Sequence, residues 1–265
     1  MHLEVLLSCM HQSDFSVIEE SNLSNVNTLI INQCDSDKDI IIDAKHRVIN
    51  TTTRGLSVSR NIGIHNSKGD ICLICDDDER FADNLEGIII NAYQNIEDAD
   101  VIAFEIADRP KTFGEKIKRL SRVDLLKVSS VQISFKKNSV LGKVEFDPFL
   151  GAGTGNGSGE ENKFLLDCFK AGLKIFYVPI DILTLKESES TWFAGFNQDY
   201  FYKRGYTTRY IYGLRFAIVY GLYFVLTKRK LYRETLSFKD VIYYLFKGIR
   251  DNCIIKQKQK MLQNA

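Results

Sequence analysis

Five consecutive apolar residues, Ile71–Cys75, run directly into four consecutive carboxylates, Asp76, Asp77, Asp78 and Glu79. A strand with no polar residue must be covered on both faces, which is the condition of an inner strand in a largely parallel sheet layered between helices. The carboxylates then stand at the carboxyl end of that strand, where open α/β sheets bind their ligands. The text on either side fits the same architecture. Residues 3–8 and 28–32 read as buried strands with a helix over 14–23 between them. A third strand at 47–50 leads into a helix over 56–66, for which Gly69 reads as the stop. A helix at 84–95, a strand at 100–107, a helix at 160–171 and a strand at 174–178 continue the alternation, which predicts an α/β sheet.

A chain of 265 residues, 45% hydrophobic and 11% aromatic, can bury a full core without staples, and this excludes a disordered or fibrous protein. The six cysteines are scattered, four of them in or beside apolar runs, which is the usage of buried thiols and not of a disulfide framework. The start has no basic segment or small-residue cleavage site, and Glu4 interrupts its apolar stretch, so the expected compartment is the cytoplasm.

The formal net charge of +1 hides a division: residues 1–202 hold 21 basic and 31 acidic side chains, residues 203–265 hold 14 basic and 3 acidic. Two domains are expected on that ground, 1–202 and a basic, aromatic-rich helical region at 203–265. The acidic part excludes nucleic acid as a partner.

Four adjacent carboxylates repel one another unless a cation offsets them, and hard divalent ions such as Mg²⁺ or Mn²⁺ prefer such oxygen ligands. A solvated acidic loop is the plainer alternative. Just ahead of that strand, residues 54–70 place Arg60 and Asn61 near a helix start, where a guanidinium and backbone N–H groups can hold phosphate. An arginine on a helix is more commonly a surface residue. Residues 151–162, G-A-G-T-G-N-G-S-G-E-E-N, match neither the dinucleotide fingerprint nor the P-loop. They read as a close-approach loop that delivers Glu160 and Glu161 at a helix start, or merely as acids complementing its dipole. Cys72 and Cys75 are three apart on a strand and face opposite sides, so they make no zinc or redox pair there, and the four histidines and the serines show no metalloprotease or hydrolase spacing.

Taken in order, R-G-L-S-V-S-R-N-I-G-I, then K-G-D-I-C-L-I-C-D-D-D-E, then G-E-E-N about 80 residues later resemble the A-R-N-x-G, G-D-x-I-x-F-L-D-x-D-D and G-E-D motifs of the family 2 glycosyltransferases, over roughly residues 1–195. The resemblance implies a GT-A fold, a Rossmann-like central mixed sheet flanked by helices, here with a helical C-terminal extension. It implies a metal-dependent, inverting transfer of a sugar from a nucleotide-diphosphate donor, with a UDP-sugar favoured, to a hydroxyl of a glycan acceptor, lipid-linked and part of cell-surface polysaccharide synthesis. By the same resemblance Asp76-x-Asp78 is the DxD motif, with Asp78 the Mn²⁺ or Mg²⁺ ligand and Asp76 or Asp77 near the ribose. Glu161 stands where the family has the Asp of its E-D pair and is the implied base, with Glu160 second. Trp192, in S-T-W-F, resembles an acceptor-contacting aromatic. The family's P-x-Y-N and D-D-G-S are replaced by S-C-M-H-Q and N-Q-C-D-S, which leaves Asn32, Gln33 and Asp35 as alternatives for contacting the base. Two further readings stand beside transfer of a sugar: a nucleotidyltransferase on a similar sheet, and a non-catalytic nucleotide- or glycan-binding relative.

In the basic region Arg215 divides the best apolar run, so a spanning helix is not expected. Aromatic and aliphatic residues between Arg209 and Lys228, Arg229, Lys230 and Arg233 suit a helix lying in the interface of an anionic membrane, on the inner face of the cell membrane. A hairpin packed on the catalytic domain, or a homodimer contact, is equally compatible with that composition.

Overall fold

The computed structural model describes residues 1–156, 158–186 and 195–264. These form two compact units, Met1–Pro148 with Glu160–Ser188, and Phe149–Gly159 with Glu189–Ala265.

The first unit carries the strands β1 (Leu3–Met10), β2 (Thr28–Gln33), β3 (Asp39–Ile41), β4 (His46–Thr51), β5 (Ile71–Cys75), β6 (Glu79–Phe81), β7 (Val101–Ile106), β8 (Lys118–Arg119), β9 (Ile133–Lys136) and β10 (Ile175–Leu185), with the helices α1 (Val17–Glu20), α2 (Leu56–Asn66), α3 (Leu85–Asn95), α4 (Lys137–Val140) and α5 (Glu160–Lys170). They make one sheet in the order β3-β4-β2-β1-β5-β9-β7-β10-β6, with β8 pairing beside β10. The run β4-β2-β1-β5 is parallel, so its carboxyl ends lie along one edge; β9 enters antiparallel between β5 and β7.

Alternate residues of the central strands feed different cores. Ile71, Leu73 and Cys75 pack with Leu3, Val5 and Leu7, while Cys72 and Ile74 pack with Leu6 and Leu29. Helix α3 supplies Leu85 and Ile89 to the first core, and α5 supplies Phe164 and Leu165 to the second. Cys72 and Cys75 are therefore separated by the sheet, as their spacing requires, and both are free thiols.

Glu4, which breaks the apolar run of β1, is buried and fully answered: Arg47 donates to it at 2.7 Å, the Ser67 hydroxyl at 2.8 Å, and the Lys68 and Gly69 N–H groups also donate. Burial alone would raise its pKa; the Arg47 hydrogen bond, followed by those of Lys68 and Ser67, brings it below the usual carboxylate value.

Several elements depart from the sequence reading. The helix expected at 14–23 is the single turn α1, because Phe15 and Asn22, at φ 56° and 59°, bracket it with left-handed backbone. Gly69 is no helix stop. Helix α2 ends at Asn66 with Ser67 extended, and a Cβ at Gly69 would lie 2.7 Å from Glu4 Cβ and 2.9 Å from Glu4 N, so this glycine serves a close backbone approach. Strand β10 runs seven residues beyond 178, passing Pro179 by shifts of register between Tyr177 and Leu183.

The second unit contains α6 (Gln198–Tyr212), α7 (Leu214–Thr227), α8 (Phe238–Asp251) and α9 (Cys253–Asn264). Gly213, at φ 87°, ends α6 and starts α7, dividing what composition presents as one aromatic run. Phe201, Ala217, Phe224, Val225, Tyr232, Val241, Leu245 and Ile249 form its core. Helices α6 and α8 cross with their backbones in contact: a Cβ on Gly205 would come within 2.1 Å of Leu245 O, and one on Gly248 within 2.0 Å of Tyr202 O.

The glycine-rich segment belongs here. The Asn156 amide donates to Phe149 O and Gln257 Oε1, and its own carbonyl accepts from Thr207 Oγ1 at 3.0 Å. The change of charge at Lys203 thus falls inside α6, while the compact unit also gathers residues 149–159 and 189–202. Among the described residues no helix is long and apolar enough to cross a membrane.

Candidate functional site

Arg60 organises the carboxyl edge of the sheet. Gly63 lets α2 lie close on β1 and β2, with an added Cβ only 3.4 Å from Leu6, and Ser59 Oγ donates to Ser8 Oγ at 2.9 Å. This packing turns Arg60 inward, where its side chain is 0% exposed. Its Nη2 donates to both oxygens of Asp76 at 2.9 and 3.0 Å, and its Nη1 to Glu160 Oε1 at 3.1 Å. The guanidinium lies 5.3 Å from the ring centre of Phe146, which stacks on Phe164 at 4.2 Å. Asn61 holds the backbone of Phe146: its amide donates to Phe146 O and accepts from Phe146 N, both at 2.8 Å. A buried guanidinium needs such paired acceptors, since desolvating it is otherwise costly.

At the end of β5, Asp76 N donates to Glu79 Oε1 at 3.1 Å, and Glu79 Oε2 is buried with no hydrogen-bond partner among the described residues. Burial, and then the Asp76 charge, hold the Glu79 carboxyl well above the usual carboxylate range. Desolvation and then the charges of Asp76 and Asp78 also raise Asp77. Lys186, the residue after β10, donates from its backbone to Asp78 O at 2.8 Å and from Nζ to Asp77 O at 3.3 Å and Glu20 Oε2 at 3.2 Å.

Across from this strand end, α5 begins with Glu160 and Glu161. Glu160 is buried against Arg60; Glu161 is partly buried, and its carboxyl hydrogen-bonds with that of Glu160. Desolvation first, and the Glu160 charge second, push Glu161 up to about 8. The arrangement is a carboxyl that holds a proton near neutrality, beside a fixed ion pair, facing a second group of carboxylates through Arg60.

Residues 3–149, more than half of the chain, match the model of the glycosyl transferase family 2. The chain belongs to that family. No curated protein matches it in sequence. Among solved structures, Staphylococcus aureus TarS 1–349 in complex with UDP-GlcNAc is similar with a TM-score of 0.56 at 13% identity, covering 77% of this chain and 64% of that one. TarS 1–349 without a named ligand gives 0.54 at 12%, covering 94% and 71%, and TarS itself 0.54 at 12%, covering 78% and 39%. The chain spans less than two thirds of TarS 1–349 in its UDP-GlcNAc complex, and at these identities the likeness is one of fold: the GT-A arrangement of a mixed, largely parallel sheet between helices.

Within this family 2 fold the residues singled out by sequence lie as follows. Asp76, Asp77, Asp78, Arg60, Glu160 and Glu161 are gathered at one edge. Arg60 points into the protein and pairs with Asp76 and Glu160, an inward direction that the register of the helix face does not reveal from the motif alone. Asn61 likewise spends its amide on Phe146.

Asn32 is buried and bonded to Gln12 and Asn50, and Gln33 donates to Thr53 O and Gly55 O, so both shape the loops at the ends of β2 and β4. Of the three alternatives for the base, Asp35 is the exposed one, 87% accessible and paired with Arg54 at 2.8 Å. Trp192 lies outside the described residues.

Sequence reasoning missed Lys186 and Phe146. A longer strand at 175–185, consistent with the β-branched and apolar residues of its Ile-Asp-Ile-Leu-Thr-Leu end, would have brought Lys186 to the acidic edge.

Proposed function

We propose that the protein transfers a sugar, with inversion, from a nucleotide-diphosphate donor to a hydroxyl of a glycan acceptor, and that Glu161 is the base. The observation that carries this is the Glu161 carboxyl, raised to about 8 beside Glu160 and Arg60 at the ligand-binding edge of the sheet. Membership of family 2 supports the reaction class. The likeness of fold to TarS 1–349, solved with UDP-GlcNAc, favours a UDP-sugar.

In the proposed step the acceptor oxygen forms a bond to the anomeric carbon as the bond from that carbon to the diphosphate oxygen breaks. The acceptor proton passes to Glu161, and the electron pair leaves on the diphosphate. Arg60 acts at one remove: it holds Glu160 in place and fixes Asp76 at the strand end, so both carboxylates keep their orientation when the donor arrives. Asp77 or Asp76 would meet the ribose, and Asp35 is the exposed carboxylate nearest in sequence to the base-binding strand end.

Among the described residues no group of three or more His, Cys, Asp or Glu side chains stands ready to hold a metal ion. The donor chemistry nevertheless fits a hard divalent ion, because Mg²⁺ and Mn²⁺ take one or two carboxylates and complete their shell with substrate phosphate oxygens. Repulsion among Asp76, Asp77 and Asp78, which contributes to raising Asp77, is what such an ion would relieve. Asp78 would hold it. Bound there, it would neutralise charge developing on the leaving diphosphate.

The acceptor on this reading is a lipid-linked glycan, met at the inner face of a cell membrane. Thermal shifts against a panel of nucleotide sugars, with and without Mn²⁺, would identify the donor, since specific binding stabilises by mass action. Release of a nucleoside diphosphate supports the reading, while release of pyrophosphate points to a nucleotidyltransferase. Asp78→Ala is expected to abolish the Mn²⁺-dependent part of the shift while the protein stays folded.

A further inference from the structure

Helix α7 is 14 residues long, about 21 Å at 1.5 Å per residue, and its outward side is apolar. Leu214, Ile218, Leu222 and Leu226 repeat every four residues, with Val219 and Tyr223 beside them, and all six are exposed, Val219 and Leu226 at 68% and 67%. The opposite side of the same helix, through Ala217, Gly221, Phe224 and Val225, packs into the core of the second unit. So the stripe is not a core face read wrongly from sequence; the core face is filled, and this one is left outside. A single exposed leucine is ordinary, but a continuous row along a helix marks an interaction surface.

The ends of the stripe say what it meets. Arg215 flanks one end, and Lys228, Arg229, Lys230 and Arg233 flank the other; all five are exposed, and residues 214–233 contain no Asp or Glu. A second copy of the chain laid along this stripe would set cations against cations in either orientation, with no acid to pair them. An anionic bilayer satisfies both parts at once. The apolar row enters the acyl boundary and the cations meet phosphate headgroups. The helix is too short to span, so it would lie in the membrane plane.

We propose that the exposed face of α7, with Arg215 and the Lys228, Arg229, Lys230 cluster, is a docking surface for an anionic lipid bilayer. The inference uses only residues of the second unit and does not depend on the proposed glycosyl transfer, so failure of one leaves the other standing.

Co-sedimentation of the intact protein with vesicles of phosphatidylcholine alone, or with added phosphatidylglycerol, at 0.1 and 0.5 M salt tests it. Binding is expected only with the anionic lipid, weaker at the higher salt. The triple variant Lys228→Ala, Arg229→Ala, Lys230→Ala is expected to bind about a hundredfold more weakly, at about fivefold per removed cation. Val219→Ser with Leu226→Ser is expected to weaken binding at both salt concentrations. Since all five positions are exposed, unchanged thermal unfolding shows that the variants stay folded.

Three results overturn the proposal. They are equal binding to neutral vesicles, no binding to either, and a lipid-free dimer that Val219→Ser with Leu226→Ser dissolves.

Discussion

Both carboxylate oxygens of Asp76 accept hydrogen bonds from one nitrogen of Arg60, at 2.9 and 3.0 Å. The other terminal nitrogen reaches Glu160, 100 residues beyond Arg60, so one buried cation ties the acidic end of β5 to the start of α5. The first motif of the family reading is thus the part that joins the other two.

Removing that cation leaves two partly or fully buried carboxylates without a counter-charge. Breaking a buried ion pair by deleting one partner costs about 3–5 kcal/mol, and Arg60→Met is expected to lose about that much in urea unfolding. Adding Glu160→Gln should restore part of the loss, because an amide needs no counter-ion. Additive losses in the double variant would mean that the pair is not coupled.

With Glu161 as the proposed base, its raised carboxyl is expected to make stability and transfer move in opposite directions with pH. Its folded pKa of about 8 lies above the ordinary 4.5, so the folded state binds the extra proton between those values. The stability it contributes is fully present below pH 4.5 and is lost as pH rises through about 8. Glu161→Gln should flatten that fall, seen as thermal midpoints measured from pH 5 to 9. The rate of transfer should instead rise over the upper part of the window, where the base becomes ionised. A rate that falls across pH 7 to 9 would exclude Glu161 as the base.

At Gly248 two physical effects oppose each other. Alanine is favoured over glycine in a helix by about 1 kcal/mol, but a Cβ here would lie 2.0 Å from Tyr202 O, and backbone cannot move aside as a side chain can. Overpacking of this kind costs about 1–3 kcal/mol or more, so Gly248→Ala should lower the thermal midpoint. Gly221→Ala meets only the tip of Leu245, at 2.6 Å, and should cost less. A rise in midpoint for Gly248→Ala would show that the crossing of α6 and α8 is looser than described.

What the sequence made legible was what local patterns carry. The span of helix α2 was legible although its stop was not, and β5 with its trailing carboxylates could be placed at the carboxyl edge of the sheet, because an unbroken apolar run has few destinations. Strand β9 was not read, although it completes the middle of the sheet; its four residues have no period of their own and pair only through chains far away in sequence. The inward direction of Arg60 was equally hidden. It depends on Gly63 and Ser59 seating the helix on β1, and on a partner 100 residues distant. In the C-terminal region composition showed that apolar and basic residues coexist, but only the packing of α7 separates the face that fills the core from the face that does not.

In the proposed reaction Glu161 takes the acceptor proton in a transfer that releases a nucleoside diphosphate. Its most direct measurement is acceptor-dependent diphosphate release from the nucleotide sugar that binds, compared among the wild-type protein, Glu161→Gln and Glu160→Gln. Glu161→Gln is expected still to bind donor but to transfer about 10²–10⁴-fold more slowly, the usual contribution of a general base, with Glu160→Gln less impaired. Transfer by Glu161→Gln at the wild-type rate, with donor binding intact, would contradict it.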